Sequence, residues 1–267
     1  MRTEKTQAHS TLSADGVLHL QCPRSWKELS QQQLHYTLDL LGCGLYNDVE
    51  IRTYMLFRFC GIEVVKRHTH SVSCKVMLES GKWHFFDMQD WQIQDMIGQL
   101  SFVNSYDGFG RGLEAAGDFV AADELLSDYQ FGWFLICEKN YAAYINTKDT
   151  KYLDILAQWL YMDGDIPVAK SEKQLECDAA LMMSAFLWFS YVKMRYSKMF
   201  PNFYKPVDKI GGTYNFLESY NAQLRALTDG DVTKEEEVKS VGCLRALTEL
   251  DAKSREAEEF KRKYGDK

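Results

Sequence analysis

Proline is scarce in this chain, with four in 267 residues. Few prolines leave long stretches free to run as helix. Seven cysteines (22, 43, 60, 74, 137, 177 and 243) form no C-x-x-C pair, and their number is odd. A disulfide framework and a paired-cysteine zinc site are therefore not indicated, and reduced thiols in a cytoplasmic setting are. The N-terminus is polar, so no leader peptide is expected. The most apolar stretch, Ala179 to Val192, runs on into Lys193 and Arg195. It falls short of the roughly 18–20 residues a membrane span needs, which predicts a buried central helix and no membrane partner. No surplus of positive charge exists either. The formal charge is −7, which repels phosphate backbones and argues against a nucleic-acid partner. Lys261, Arg262 and Lys263 follow Glu256, Glu258 and Glu259 and read as a solvated helix face.

What the chain has is apolar material. Hydrophobic residues make up 46% and aromatics 13%, enough for a substantial core. Residues 1–16 read as a loose arm and Val17 to Cys22 as a short strand closed by Pro23. Ser25 with Glu28, and then Ser30, offer helix caps before an apolar face of Leu34, Leu38 and Leu41, stopped by Gly42. A second helix, Asp48 to Cys60, has Asn47 as its cap and Gly61 as its stop. Strands follow at Ile62–Arg67, Val72–Glu79 and Lys82–Met88, with a tight hairpin at Ser80-Gly81. Trp91 to Val103 returns to helical spacing. The segment "NSYDGFGRGLEAAGD" is the one glycine-rich stretch and predicts a lobe boundary or mobile loop.

Beyond Ala121 the pattern is almost wholly helical. Helices are expected over 128–147, from Asp149 or Thr150 to Tyr161, and from Ser171 to Phe200, the last opened by Ser171 with Gln174 and ending before Pro201. Tyr214 to Thr228 predicts another, broken by Asp229-Gly230-Asp231. Thr233 with Glu236 then caps a helix that can run to Tyr264. LRALT occurs twice, at Leu224–Thr228 and Leu244–Thr248. Two successive helix-forming segments explain this more simply than a duplicated recognition surface, and no period recurs three times as a solenoid requires.

Candidate chemistry is thin. His68 and His70 lie between two strands with His84 on the hairpin partner, an arrangement that would bind zinc if the imidazoles converged. The competing reading is a polar strand edge. The glycines of "DGFGRG" follow a helix and have G-x-G-x-G spacing, so they do not make a dinucleotide fingerprint. Asp163-Gly164-Asp165 and Asp229-Gly230-Asp231 lack the downstream calcium ligands and read as turns. No G-x-S-x-G or H-E-x-x-H occurs. The six tryptophans read as core, and any left exposed would mark a partner surface.

The blocks "CPRSWKELSQQQLHYTLDLL", "YINTKDTKYLDILAQWLY", "FLWFSYVKMRYSKMFPNFY" and the LRALT-containing tail together resemble a poorly characterised family from prophage-like or mobile-element gene clusters of gut anaerobes. The resemblance implies a cytoplasmically made, non-enzymatic protein used in building a phage-like particle, at its tail or during its assembly. It carries over no active-site residue and no cofactor.

The combined expectation is a mainly α fold with a small antiparallel β-hairpin element (α+β). It has a flexible arm (1–16), an N-terminal α+β lobe (17–112), a helical lobe (113–212) and a two-helix tail (213–267). The protein would assemble with a protein partner or with itself, presenting Leu224, Leu227, Val238, Val241, Leu244 and Leu247 of the tail either to its own body or to another chain. The alternative is a metal-dependent or thiol enzyme built on His68, His70 and His84 or a cysteine.

Overall fold

A computed structural model describes residues 10–204 and 216–264. The fold is α+β, as expected, and helix dominates. The chain divides into two compact units after Gly108, slightly earlier than the expected boundary at Gly112.

The first unit opens with a two-residue antiparallel pair, β1 (Thr11–Leu12) and β2 (Leu18–His19). Residues 10–16 are thus not a loose arm; the rest of that expected arm lies outside the described residues. Ser10 is fully buried, and its carbonyl accepts from the Glu79 N–H at 3.2 Å. The Ser25–Glu28 pair shapes only a 3-10 turn, where Glu28 accepts from the Arg24 N–H at 2.9 Å. Ser30 is the true cap of α1 (Gln31–Gly42), in a reciprocal box with Gln33. Its buried face uses Leu34, Leu38 and Leu40, while Leu41 is half-buried. Helix α2 (Asp48–Phe59) is capped by Asn47 and Glu50 in the same manner and stops at Gly61, φ +65°. Strands β3 (Ile62–Arg67), β4 (Ser71–Met77) and β5 (Trp83–Gln89) form one antiparallel sheet in that order. Gly81, at φ +77°, makes the hairpin turn. Helix α3 (Asp90–Gly98) and a 3-10 turn over Ser101–Asn104 complete the unit.

The second unit begins with the glycine-rich segment, which is anchored in the core and is not a mobile connector. Phe109 and Leu113 are buried. Gly112 sits at φ +77°, and a Cβ there would collide with Ser184 Oγ and the Phe109 ring. Ser184 Oγ accepts from the Leu113 N–H at 3.0 Å. The segment then enters a four-stranded antiparallel sheet of β6 (Ala115–Ala116), β7 (Phe119–Ala121), β8 (Tyr161–Asp163) and β9 (Ile166–Pro167). The helical reading of everything beyond Ala121 missed β8 and β9, which flank the turn at Gly164.

Helices α4 (Phe131–Thr147), α5 (Lys151–Leu160) and α6 (Ala179–Met199) build the core. Phe134 touches Phe189 and Tyr196, each with ring centroids 5.6 Å apart. Helix α6 starts at Asp178, whose carboxylate accepts from the Leu181 N–H at 2.7 Å. The expected start at Ser171 fails because that hydroxyl donates to Asp163 at 2.6 Å, holding the β8–β9 hairpin instead.

Helices α7 (Phe216–Thr228), α8 (Glu235–Ser240) and α9 (Cys243–Tyr264) close the chain within the same unit, not as a separate tail. The single helix expected from Thr233 to Tyr264 is split at Val241–Gly242. There the Phe131 N–H donates to Val241 O at 2.8 Å and the Cys243 N–H donates to Tyr129 O at 2.7 Å. These cross-chain bonds occupy backbone groups that a continuous helix would need. Asp231, not Thr233, caps this stretch, accepting from the Thr233 N–H at 3.0 Å. Farther along α9, Asp251 accepts from the Asn202 N–H at 2.7 Å, Asn202 Nδ2 at 2.9 Å and the Phe203 N–H at 3.0 Å.

Replacing Gly112 by Ala should destabilise the protein by about 2–4 kcal/mol, combining the left-handed backbone penalty with overpacking against Ser184; urea denaturation measures it. Asp251 gives a pH test. Burial works to raise its pKa, but the hydrogen bonds from Asn202 and Phe203 outweigh it and hold the carboxyl below its usual range. A depressed folded pKa contributes stability above the unfolded value, lost as pH falls through the folded one. Asp251→Asn should therefore flatten the decline in melting temperature below about pH 4.

Candidate functional site

The LRALT surfaces face inward. Leu224 and Leu247 are 3% and 0% exposed, while Leu227, Val238, Val241 and Leu244 are half-buried. The two copies bury different positions: Leu224 and Thr228 in the first, Ala246 and Leu247 in the second. One recognition surface used twice would bury, or expose, equivalent residues. Gly132 on α4 shows how closely these helices dock: a Cβ there would lie 3.0 Å from Lys239 Cβ and 3.2 Å from Lys239 O on α8. Lys253 of α9 donates to Ala226 O at 2.6 Å, satisfying a carbonyl near the end of α7. These leucines belong to the body's own packing.

The three histidines do not converge. In β5, His84 pairs across to Val76 and stacks on Phe86 at 6.0 Å, which puts it on the sheet's inner face with Cys74 and Val76. His68 lies with the outer face, its Nε2 3.1 Å from Ser73 Oγ. His70 approaches Asp90 at 3.7 Å with its side chain 85% exposed. Among the described residues no group of three His, Cys, Asp or Glu side chains could hold a metal ion. The His68–Ser73–Asp87 chain is also in the wrong order for a serine nucleophile. Ser73 donates to Asp87 at 2.6 Å, so His68 meets a hydroxyl whose proton is already committed to the carboxylate, and all of it is open to water.

The alternation of the same sheet produces its most distinctive surface. Ile62, Val72, Cys74, Val76 and Met88 are buried on the inner side. The opposite side carries Met77, Trp83 and Phe85, which are 38%, 42% and 65% exposed. Met77 and Trp83 are directly paired, as are Lys75 and Phe85. Lys75 Nζ lies 4.3 Å from the Trp83 ring centroid and 2.8 Å from Glu63, its partner on β3. The register shifts between Val64 and Lys66, and the bulged Val65 is 55% exposed. Trp91, at the start of α3, is 66% exposed. The period-two pattern of β5 was readable, but which apolar set faced water was not: Trp83 and Phe85 are as hydrophobic as the residues on the buried side.

Elsewhere in the second unit, Lys193 of α6 donates to Glu138 of α4 at 2.5 Å and lies 5.6 Å from the Tyr141 ring centroid. Glu138 is 5% exposed, so this pair joins two packed helices and is not open to a substrate. Buried Cys137 and Cys243 have their pKa raised, chiefly by burial, which leaves them inert thiols. Among the described residues, no helix is long and apolar enough to cross a membrane.

No protein-family model, curated protein or solved structure matches the chain.

Leu247→Ala tests the inward reading of the C-terminal helices. It should lower the stability of the whole second unit by about 2–5 kcal/mol in chemical denaturation, as a cavity in a packed core does. A surface leucine would change it by less than about 0.5 kcal/mol.

Proposed function

We propose that this is a non-enzymatic assembly protein that associates with a second copy of itself through the outer face of the β3–β4–β5 sheet. The observation that carries this reading is the row of solvent-facing Met77, Trp83 and Phe85 on a sheet whose other face is already buried. A contiguous apolar patch on a soluble surface marks an interaction site. Large aromatic side chains contribute most to such interfaces, burying roughly 150–250 Å² each.

The charges around the patch favour a copy of the same chain. Glu63 and Lys75 sit side by side, with Lys66 also on β3 and Asp87 on β5. A two-fold interface needs both signs on one surface, so that each acid meets the partner's base. On the outer face the acids Glu63 and Asp87 are matched by Lys66 and Lys75. A balanced face gives phosphate no net attraction, which favours protein over nucleic acid. All seven cysteines are free, which fits residence in the reducing cytoplasm. The building of a phage-like particle is the setting the sequence resemblance suggests. The alternative of an enzyme built on the three histidines loses its support with their divergence.

The test is solution mass against concentration for the full chain and for Trp83→Ala/Phe85→Ala. The wild type should dimerise at micromolar concentrations, and the double variant should weaken the dimer about 30-fold or more, equivalent to about 2 kcal/mol. Its melting behaviour should be otherwise normal. A wild-type chain that stays monomeric at about 100 μM, or a double variant that dimerises equally well, overturns the proposal.

A further inference from the structure

The strand-poor N-terminal segment and the end of α2 meet at a cavity of about 330 Å³, lined by Leu20, Gln21, Cys22, Arg24, Leu56, Cys60, Met96 and Gln99. Two of the seven cysteines share this cavity, and none of the chemistry considered above uses them. Cys60 is the residue that ends α2; its Sγ lies 3.5 Å from Gln21 O, and its own carbonyl accepts from Ser10 Oγ at 3.5 Å. Cys22 follows Gln21 directly and lines the same cavity, so the contact of Cys60 Sγ with the Gln21 carbonyl makes the two cysteines neighbours. Cys60 is 1% exposed whereas Cys22 is half-buried. Both cysteines line the cavity, and Cys22 is the more accessible of the two.

We propose that Cys22 and Cys60 form a hydroperoxide-oxidisable dithiol, with Cys22 as the attacking thiolate and Cys60 as the resolving thiol. Cys22 attacks the distal oxygen of a hydroperoxide ROOH. The O–O bond breaks, its oxygen stays on sulfur as Cys22 sulfenic acid, and the alcohol ROH leaves with the proton from the thiol. Cys60 then attacks the sulfenic sulfur, forming the Cys22–Cys60 disulfide and releasing water. Two thiols and one hydroperoxide give one disulfide, one alcohol and one water, with two electrons passing from the sulfurs to the peroxide oxygens.

The surroundings separate Cys22 from Cys60 and from four of the other thiols. The hydrogen bond from Cys60 lowers its pKa even though burial works the other way, and the same contact, together with burial, raises that of Cys60. Cys74, Cys137, Cys177 and Cys243 are all raised, in each case chiefly by burial. A thiolate with access to solvent meets an external oxidant first; a buried thiol meets only what forms beside it. The cavity wall is apolar at Leu20, Leu56 and Met96 and polar at Gln21, Arg24 and Gln99. It suits hydrogen peroxide or a small organic hydroperoxide. The link would tie the N-terminal segment to the end of α2 across α1, adding a covalent staple to the first unit.

The experiment uses the full reduced chain treated with stoichiometric hydrogen peroxide and, in parallel, a small alkyl hydroperoxide, followed by intact mass and a non-reducing digest. The expected product has lost the mass of two hydrogens, contains a Cys22–Cys60 cross-linked peptide and melts at a higher temperature. Cys22 should be consumed about tenfold or more faster than Cys137 or Cys243. In Cys60→Ser a sulfenic acid should accumulate on Cys22 and be trapped by dimedone. Cys22→Ser, at a half-buried position, should form no intramolecular disulfide and leave Cys60 reduced. Oxidation that starts at another cysteine, a Cys22 disulfide between two chains, or a Cys22→Ser variant that consumes peroxide at the wild-type rate would each overturn the proposal.

Discussion

The second unit depends on aromatic side chains that are apolar along their length and polar at their tips. Tyr161, Tyr196 and Trp188 are each 0% exposed, yet each donates a hydrogen bond to the backbone just before β6 or just after β7, at Leu113, Glu124 or Leu125. Tyr161 reaches Leu113 O at 2.7 Å, Tyr196 reaches Leu125 O at 2.5 Å, and Trp188 Nε1 reaches Glu124 O at 2.9 Å. Tyr129, itself in the loop before α4, donates to Trp159 O. Burial holds these phenols well above their usual pKa, so they remain donors at any ordinary pH. A loop of this length would otherwise put unpaired carbonyls into the core. With the donors in place, no buried side-chain nitrogen or oxygen among the described residues lacks a partner. Leu126, fully buried at φ +55°, is a bulky residue in a region few such residues tolerate. The neighbouring Tyr196 bond and the packing around it keep it there.

That constraint explains why the C-terminal helices are not an appendage. The strand-like contact of residues 129–131 with 241–243 lies at the entrance to α4, beside Tyr129 and just beyond the pinned loop. It splits what the sequence pattern offers as one helix and turns α9 so that Cys243, Leu247 and Leu250 enter the core. Val241 and Gly242 are themselves weak helix formers, so the tertiary backbone pairing breaks the helix where local propensity resists it least. The LRALT copies are alike in composition because both helices need leucines, but they are rotated differently against α4 and bury different residues.

How much of the architecture could be read from the residues depends on how local the determining interaction is. Ser30, Asn47, Gly61 and Gly81 act within a few residues of themselves, and each does what its pattern predicts. The three strands of the β3–β4–β5 sheet were placed almost to the residue. Ser171 has the same local signature as a cap, but Asp163 takes its hydroxyl from across a hairpin, and no local rule anticipates that. The glycines at 110 and 112 look like a flexible linker in sequence; in the fold they are the residues that let the backbone pass close to Glu124 and Ser184. Glycine spacing reports that positive φ is allowed, not whether the reason is freedom or close packing. The histidines failed in a similar way. Spacing can put His68, His70 and His84 in the same hairpin region, but strand parity sends His84 through the sheet to the other side.

The cysteines carry this argument furthest, because in sequence all seven have the same status. Packing gives them different chemistry. Cys137 and Cys243 sit among the aromatic rings of the second unit, where burial outweighs the help of the Tyr129 and Tyr196 hydroxyls, 3.9 and 3.7 Å from their sulfurs. Cys60 is as deeply buried as these, but it stands at a cavity wall with a second thiol before it. The neighbouring thiols push each other apart, Cys22 downward and Cys60 upward in pKa. The asymmetry arises from a helix end meeting an extended segment, with Cys22 and Cys60 separated in the chain by the whole of α1 and α2. A dithiol of this kind leaves no C-x-x-C in the sequence, so the absence of that motif limits local redox pairs and says nothing of pairs made by the fold.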